Sequence, residues 1–188
     1  MIKTFGLKTE YSPITKLGED YYKICWNYEA VKDAVMTESD EIDEETGKRK
    51  MIPTDEYIDT QYCTFMYETV HFKPTLEYIK NLIISWHNSE VDNKILNGFV
   101  WNDMPVWLSS ENQFNYKAAY DLAVQTEGLS LPVTFKFGDT MNPVYHTFET
   151  VGDFTDFYVK AITYINTCLS EGWAKKDAID WSTYEIND

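Results

Sequence analysis

Between Gly98 and Glu171 the apolar and polar positions follow one order twice: hairpin, helix, hairpin, helix. Strand-like alternation flanks a turn near Asn102, and it returns between Val133 and Phe148. After each hairpin the apolar positions recur every third or fourth residue, which indicates a helix. We therefore predict an α+β fold, in which tandem ββα units form an antiparallel sheet of β-hairpins with helices packed on one face.

The first of these helices has a start signal and an end signal. Ser110 and Gln113 form a capping-box pattern, and Gly128 follows the last periodic position. The second hairpin comes next, and its turn is predicted from four turn-forming residues: Gly138, Asp139, Asn142 and Pro143. The first helix is predicted to bury a face of residues spaced by four, with small neighbours beside them: Phe114, Ala118, Leu122, Ala119 and Ala123.

The second helix has the strongest periodicity in the chain and starts at Thr150. Gly172 is predicted to end it, and a short helix from Trp173 to Trp181 to follow. Its buried face is predicted to be broad: Phe154, Phe157, Tyr158, Ala161, Ile162, Ile165, Cys168 and Leu169.

The first half of the chain predicts a third ββα-like piece. Residues 1–20 are predicted to form an arm with one short strand, of a kind that can be disordered alone and ordered by a neighbour. A strand from Tyr21 to Val31 is expected to pair with a second one from Tyr62 to Phe72. The acidic stretch 37–50 between them is predicted to be a mobile excursion, because it cannot bury enough apolar surface to order itself.

Pro74 predicts the start of an amphipathic helix that ends between Asn88 and Asn97. The predicted domains are therefore 1–97, with arm, hairpin, acidic loop and helix, and 98–188, with the tandem ββα units. The N-terminal piece either extends the same sheet or forms a separate lobe.

The chain has more aromatic residues than a core of this size requires: six Trp, 14 Tyr and 10 Phe in 188 residues. Tyr and Trp combine a large contact area with a polar tip, so the surplus predicts surfaces that other proteins cover. The candidate interface residues are Trp26, Tyr28, Tyr67, Trp101, Trp107, Tyr116, Trp173 and Trp181.

Charge and cysteine content narrow the possible partners. The formal net charge is -15 and Arg49 is the one arginine, which disfavours nucleic-acid and nucleotide binding. Three cysteines without a zinc spacing predict reduced thiols in a reducing compartment. Without a signal-like or membrane-spanning apolar run, we expect a soluble protein made in the cytoplasm, with no membrane partner.

Candidate chemistry is sparse. His71, His87 and His146 have no second ligand at metal-site spacing, and the acidic run 40–45 lacks the calcium-loop order. No phosphate-binding glycine loop or nucleophile motif occurs. We predict no catalytic residue, no metal and no cofactor, although a carboxylate pair of the glycosidase kind stays open.

Three segments carry a family resemblance: the tryptophan hairpin and helix cap of 98–115, the Leu-Pro-Val-Thr strand of 131–137, and the long helix with its lysine pair in 158–179. In this order they resemble a domain of unknown function found in tailed-phage and prophage proteins, often beside tail-fibre or tail-assembly genes. The resemblance covers about the last half of the chain. It implies a virion or virion-assembly protein and supplies no catalytic residues.

The leading hypothesis is a non-enzymatic bacteriophage structural protein at the tail, neck or fibre-attachment region, assembled in the host cytoplasm. Its expected partners are other virion proteins and further copies of itself about a symmetry axis. Two alternatives stay open: a tail-fibre assembly chaperone absent from the mature particle, and a carbohydrate-binding or carbohydrate-active protein.

Overall fold

A computed structural model describes residues 1–138 and 141–186, and its elements form the predicted α+β fold. Eight strands and three α-helices occur over these residues: β1 Ile2–Leu7, β2 Ile14–Gly18, β3 Tyr21–Ile42, β4 Arg49–Val70, α1 Leu76–Asn97, β5 Phe99–Trp101, β6 Met104–Val106, α2 Ser110–Gln125, β7 Val133–Gly138, β8 Pro143–Phe148 and α3 Val151–Asp177. The chain divides into two compact units, Met1–Asn81 with Asp180–Asp188, and Leu82–Ile179. Asp139, predicted in the turn between β7 and β8, lies outside the described residues.

The first unit is built on a four-stranded antiparallel sheet with the strand order β1-β4-β3-β2. The predicted pairing of the first two long strands is confirmed, with Tyr22 opposite Val70. The prediction of a loose N-terminal arm is wrong, because β1 and β2 pair along the outer edges of β4 and β3. The side chains of residues 1–20 have only weak periodicity, but hydrogen bonds of their backbone to the two long strands order them.

The prediction of a mobile acidic excursion at 37–50 is also wrong. β3 and β4 are each 22 residues long and continue through this stretch, with Glu38 opposite Met51. A tight turn closes the hairpin, and there the Asp43 Oδ1 accepts a hydrogen bond from the Thr46 N–H at 2.8 Å. The strands persist because ladder hydrogen bonds need no apolar side chain, and the charged residues remain in water.

Side chains cover both faces of the sheet of the first unit near Cys25. Tyr22, Ile24 and Trp26 alternate along β3 and are buried on one face. Cys25 is buried on the other face together with Cys63 and Phe65. The short 3₁₀ helix Trp181–Tyr184 closes this cluster, since the Tyr184 hydroxyl donates to the Cys25 carbonyl at 2.8 Å.

The second unit contains the two predicted ββα repeats. The β5–β6 hairpin precedes α2, and the β7–β8 hairpin precedes α3, each hairpin forming its own two-stranded sheet. The shared core consists mainly of aromatic rings from both hairpins and both helices: Phe99, Trp101, Tyr116, Phe137, Phe148, Phe154 and Phe157. The predicted buried face of α3 is confirmed at Phe154, Phe157, Ala161 and Cys168.

The predicted face of α2 is wrong at Phe114 and Leu122, and the predicted cap is also wrong. Phe114 and Leu122 are 70% and 51% exposed, whereas Ala123, which was part of the predicted face, and Tyr116, which was not, are buried. Both sides of this helix carry apolar residues, and the side with Tyr116 is the one that packs against the aromatic core. The N-cap is Ser109 instead of Ser110, because the Ser109 hydroxyl accepts the Asn112 N–H.

Gly172 does not end the last helix. α3 continues to Asp177, and Gly172 is buried where a Cβ would overlap the Val91 side chain of α1. The predicted separate helix from Trp173 to Trp181 is therefore wrong. The glycine allows close approach of two helices rather than a turn.

The boundary between the two compact units falls within α1, after Asn81, whereas the sequence placed it at Gly98. The second half of α1 belongs with α3. Ile95 lies in the aromatic core, and the Tyr164 hydroxyl donates to the Lys94 carbonyl at 2.8 Å.

Candidate protein-binding surface

Three of the predicted interface aromatics are core residues. Trp26 and Trp101 are each 1% exposed, and Tyr116 is also buried. The Trp101 Nε1 donates to the Asp156 carboxylate at 3.0 Å, and its ring packs edge-on against Phe157. Burial raises the pKa of Tyr116 to about 12. These three rings stabilise the fold and offer no surface to a partner.

Of the remaining five candidates, Tyr28, Tyr67 and Trp181 belong to the first unit, and Trp107 and Trp173 belong to the second. Trp107 and Trp173 are more than half exposed. The Tyr28 ring contacts that of Tyr11, and Tyr67 and Trp181 lie under lysine ammonium groups. The sequence did not predict a further surface, on which exposed apolar side chains lie close together.

That surface is the outer part of the β3–β4 hairpin, residues 31–42 and 49–61, here called the distal ribbon. The ladder with β1 begins at Tyr62, and the ladder with β2 reaches only to Ile24. Within the described part of the chain, no further strand pairs with the ribbon. A two-stranded ribbon is marginally stable by itself in water, so this extension gains most from a covering partner.

Three bulges with the same local chemistry interrupt the ladder of the ribbon. Each bulge is a triplet that begins with Ser or Thr and stands opposite a single residue of the other strand: 39–41, 54–56 and 60–62. In each triplet the first hydroxyl accepts the N–H of the third residue, at 3.2, 3.2 and 3.1 Å. The Thr54 and Thr60 hydroxyls also donate to β3 carbonyls, at 2.9 and 2.8 Å.

The bulges twist the ribbon and break up its edges, which protects it from pairing edge to edge with another strand. A partner is therefore expected to bind a face of the ribbon rather than its edge.

Exposed apolar residues lie on both faces of the ribbon, with Ile52 and Ile58 on one face and a larger set on the other, as the strand register shows. Through each bulge one strand stays regular, so the pairs Ala34–Tyr57, Met36–Pro53 and Glu38–Met51 remain on the same side. Four large apolar residues on this side are between 48% and 63% exposed: Met36, Ile42, Met51 and Tyr57. We call this side, with Ala34 and Pro53, the apolar face. Methionine-rich surfaces adapt easily to a partner.

Four charged residues lie near the two ends of the apolar face. At the base, Lys32 and Asp59 form a cross-strand pair with 3.9 Å between Nζ and Oδ1, and the Lys8 Nζ lies 3.6 Å from the Asp59 Oδ2. Toward the tip, Glu38 stands opposite Met51, and Arg49 stands opposite Ile42 in the next pair outward. Each strand therefore carries one charge of each sign, and the two strands carry them in opposite order.

The ribbon as a whole is strongly charged, with an excess of acidic residues. Between residues 31 and 59 the chain has ten acidic and four basic side chains. Lys50 pairs with Glu41 at 3.0 Å, and Arg49 with Asp40 at 3.9 Å. Hydrogen bonds from Thr46 hold the pKa of the Asp43 carboxyl below its usual range. The acidic run 40–45 is thus part of a strand end and a turn.

The histidines occupy structural positions. His71 stacks on Tyr21. His87 is 8% exposed, and burial lowers its pKa, with smaller contributions from Lys175 and Lys176. His146 contacts the Trp101 ring edge-on and lies 3.4 Å from the Asp153 carboxylate.

Within residues 1–138 and 141–186, no group of three His, Cys, Asp or Glu side chains is placed to hold a metal ion. The three cysteines are free and buried. None of the helices in the described ranges has the length and apolar character needed to span a bilayer.

Comparison with known proteins yields one match. No curated protein and no solved structure matches the chain. A family model described as a domain of unknown function, DUF4376, matches residues 79–188, so the distal ribbon lies outside the matched part. That description names no activity and no source, and the predicted link to phage tails stays a prediction. Because the match covers more than half of the chain, the protein belongs to the DUF4376 family.

Proposed function

We propose that the chain is a non-enzymatic assembly protein that binds other proteins through the apolar face of its distal ribbon. The observation that carries this proposal is a set of four large apolar side chains, each about half exposed. They lie on a ribbon with which no other strand of the described residues pairs. In a monomer these side chains stay in contact with water, and their burial against a partner would be favourable.

The magnitudes show what kind of contact this face can make. Covering a half-exposed Met, Ile or Tyr contributes roughly 1 kcal/mol each, so the four together contribute about 4 kcal/mol. Association costs about 4–15 kcal/mol of lost translational and rotational freedom. The apolar face alone therefore does not hold a partner, and the surrounding charges and the strand backbone must also contribute.

The setting proposed for this assembly role is a bacteriophage virion, at the tail, the neck or the fibre-attachment region. Its support is the resemblance of residues 98–115, 131–137 and 158–179 to a domain of unknown function found in tailed-phage and prophage proteins, often beside tail-fibre or tail-assembly genes. The partners would be neighbouring virion proteins, arranged with several copies of this chain about a symmetry axis.

Quantitative mass spectrometry of purified particles tests the setting. In phages made with the double variant Met51→Ser with Tyr57→Ser, the chain should be depleted from particles, because the apolar face is lost. The matched control is Phe114→Ser with Leu122→Ser, which removes two exposed apolar residues from α2 and should leave incorporation unchanged. Absence of the wild-type chain from particles would remove the structural role, and co-purification with an immature fibre protein would then select the assembly chaperone.

One observation favours the carbohydrate-binding alternative. Phe5 and Tyr62 stack on the surface of the first sheet with 5.0 Å between ring centroids. Exposed aromatic rings can contact a sugar, and a glycan array with wild type and Phe5→Ala tests this function. An array without signal removes it.

A further inference from the structure

We infer that the outer edge of β1 pairs with β1 of a second copy of this chain, antiparallel and about a two-fold axis that passes beside Thr4. β1 is the first strand of the order β1-β4-β3-β2 and therefore has a neighbour on one side. The inference goes beyond the proposed function, because β1 lies outside the distal ribbon and the contact joins two copies of the chain.

The outer edge of β1 carries backbone groups that point away from the sheet. The Leu7 N–H donates to the Glu10 carboxylate at 3.1 Å instead of to β4. On β4 the residue opposite Leu7 is Tyr62, whose N–H donates to a bulge hydroxyl on the side of β3. Because backbone groups alternate in direction along an antiparallel strand, those of Lys3 and Phe5 also point outward. Among the described residues, their N–H groups have no partner on that side.

The other edges of this sheet are protected against strand addition, whereas that of β1 is open. Pro13 stands directly before β2, and a register shift interrupts β2 between Lys16 and Gly18. The ribbon has its three bulges. β1 pairs with β4 over six residues without a register shift, and it contains no proline. Since prolines and bulges are what keep a further strand from an edge, β1 is the place in this sheet where one can be added.

Glu10 determines the register of the added strand. Because its carboxylate holds the Leu7 N–H, the donors that stay free are the N–H groups of Lys3 and Phe5, each with its own C=O as an acceptor. A two-fold axis that sets Thr4 opposite Thr4 of the second copy also sets Lys3 opposite Phe5 of that copy. Every free N–H of this row then donates to a C=O of the other strand, and the Glu10 carboxylate keeps its place.

The side chains favour this register over its neighbours. An axis at Phe5 would set Lys3 opposite Leu7, whose N–H is already held. An axis at Lys3 would set two ammonium groups directly opposite each other. In the inferred register, Lys3 lies beside the Phe5 ring of the second copy, which is 59% exposed and stacks on Tyr62 with 5.0 Å between centroids. An ammonium group is attracted to an aromatic ring, so each lysine gains a partner.

The net charge of -15 weakens this contact without preventing it. β1 has one lysine and no acidic residue, and charges further apart than about 8 Å are largely screened at physiological ionic strength. Two short strands bury little area, so we expect a weak dimer.

Sedimentation velocity and amide hydrogen exchange detected by NMR, measured on the full chain from roughly 10 μM to 1 mM, test the inference. The wild type should form dimers as the concentration rises. Exchange of the Lys3 and Phe5 amides should slow with the dimer, while that of the Leu7 amide, which is bonded within its own chain, should not change. A wild type that stays monomeric, or exchange at Lys3 and Phe5 that does not depend on concentration, would overturn the inference.

Two variants of Phe5 separate the backbone contact from the ring. Phe5→Pro removes an outward N–H and no bond to β4, which is where an edge strand accepts proline, and circular dichroism should show that it is folded. It should dimerise about tenfold or more weakly than Phe5→Ala, which removes the same ring and keeps the N–H; equal dimerisation of the two would contradict strand pairing. If Phe5→Pro does not fold, the amide exchange of the wild type decides.

The control is Met51→Ser with Tyr57→Ser on the ribbon, which should dimerise like the wild type. A monomeric wild type whose incorporation into particles still requires Met51 and Tyr57 would overturn this inference and leave the proposed function standing. A dimer that is absent from particles would do the reverse.

Discussion

Replacing Gly172 by alanine adds one methyl group at the closest approach of α1 and α3. Gly172 is buried within α3, and an ideal Cβ there would overlap Cγ2 of Val91. The valine side chain is branched at Cβ and cannot swing away as a long flexible chain does. The helices must therefore move apart or Val91 must leave its rotamer.

Two opposing effects set the size of the change. Alanine is preferred over glycine in a helix interior by about 0.5–1 kcal/mol. Inserting a methyl group into a packed contact costs about 1–3 kcal/mol. The strain is the larger effect, so Gly172→Ala should lower the free energy of unfolding by roughly 1 kcal/mol, while the same change in a Val91→Ala background should raise it by about 0.5–1 kcal/mol.

Gly152 provides the matched control, because it lies in the first turn of the same helix with open space around it. Gly152→Ala should raise the free energy of unfolding in both backgrounds. Urea unfolding followed by circular dichroism gives the four values of the Gly172–Val91 cycle. Amide hydrogen exchange in α3 reports the opening of the second unit separately. If Gly172→Ala is stabilising with Val91 present, or if the cycle shows no coupling, the close contact between the two helices is refuted.

Three further outcomes follow from the structure. Phe114→Ser and Leu122→Ser should each change the free energy of unfolding by less than about 0.5 kcal/mol, since both side chains are exposed. In the same urea denaturation, Phe157→Ala in the core should lower it by about 3–5 kcal/mol. A large loss from either α2 variant would support the buried face that was predicted from the sequence. Thr60→Val removes a bulge hydroxyl that is hydrogen-bonded to both strands. It should lower the free energy of unfolding by about 1 kcal/mol and speed amide hydrogen exchange in the ribbon. Unchanged exchange would show that this hydroxyl does not stabilise the ribbon. The folded-state pKa of His87 is lowered, so the unfolded chain binds a proton at this residue more readily than the folded chain does. The stability that neutral His87 contributes is therefore present above the unfolded pKa of about 6.5 and is lost as the pH falls below it. The free energy of unfolding of the wild type should fall faster than that of His87→Gln from pH 7 to 5, and parallel curves would show that His87 does not contribute.

The sequence predicts α3 well and α2 poorly for one physical reason. The apolar residues of α3 concentrate on a single face, so periodicity alone identifies the buried side. In α2 the stripe with Phe114 and the stripe with Tyr116 are both apolar, and only contacts distant in sequence decide between them. Tyr116 lies edge-on against Phe135 and Phe157 in the core, and Phe114 lies in water.

Gly172 and the distal ribbon show two further limits of local patterns. A glycine after a periodic run is typical of a helix end, but it is equally suited to a place where a neighbouring helix leaves no room for a Cβ. The acidic composition of 37–50 indicates a segment without a core, and the segment indeed has none. It is ordered by ladder hydrogen bonds to the strand around Met51. Because that strand is not part of the local sequence around Glu38, the composition of the segment does not reveal this order.

The three bulges connect this local chemistry to the proposed contact. Each Ser or Thr triplet adds two residues to one strand while the other strand stays regular, so the side chains of the apolar face keep their side from Lys32 and Asp59 to Arg49. Single-residue bulges would instead have moved every later side chain of one strand to the opposite face. The ribbon therefore combines edges that resist strand addition with a face along which exposed apolar side chains follow one another from Tyr57 to Ile42. Because the family match begins at residue 79, the proposed contact lies in the part of the chain that the family model does not cover.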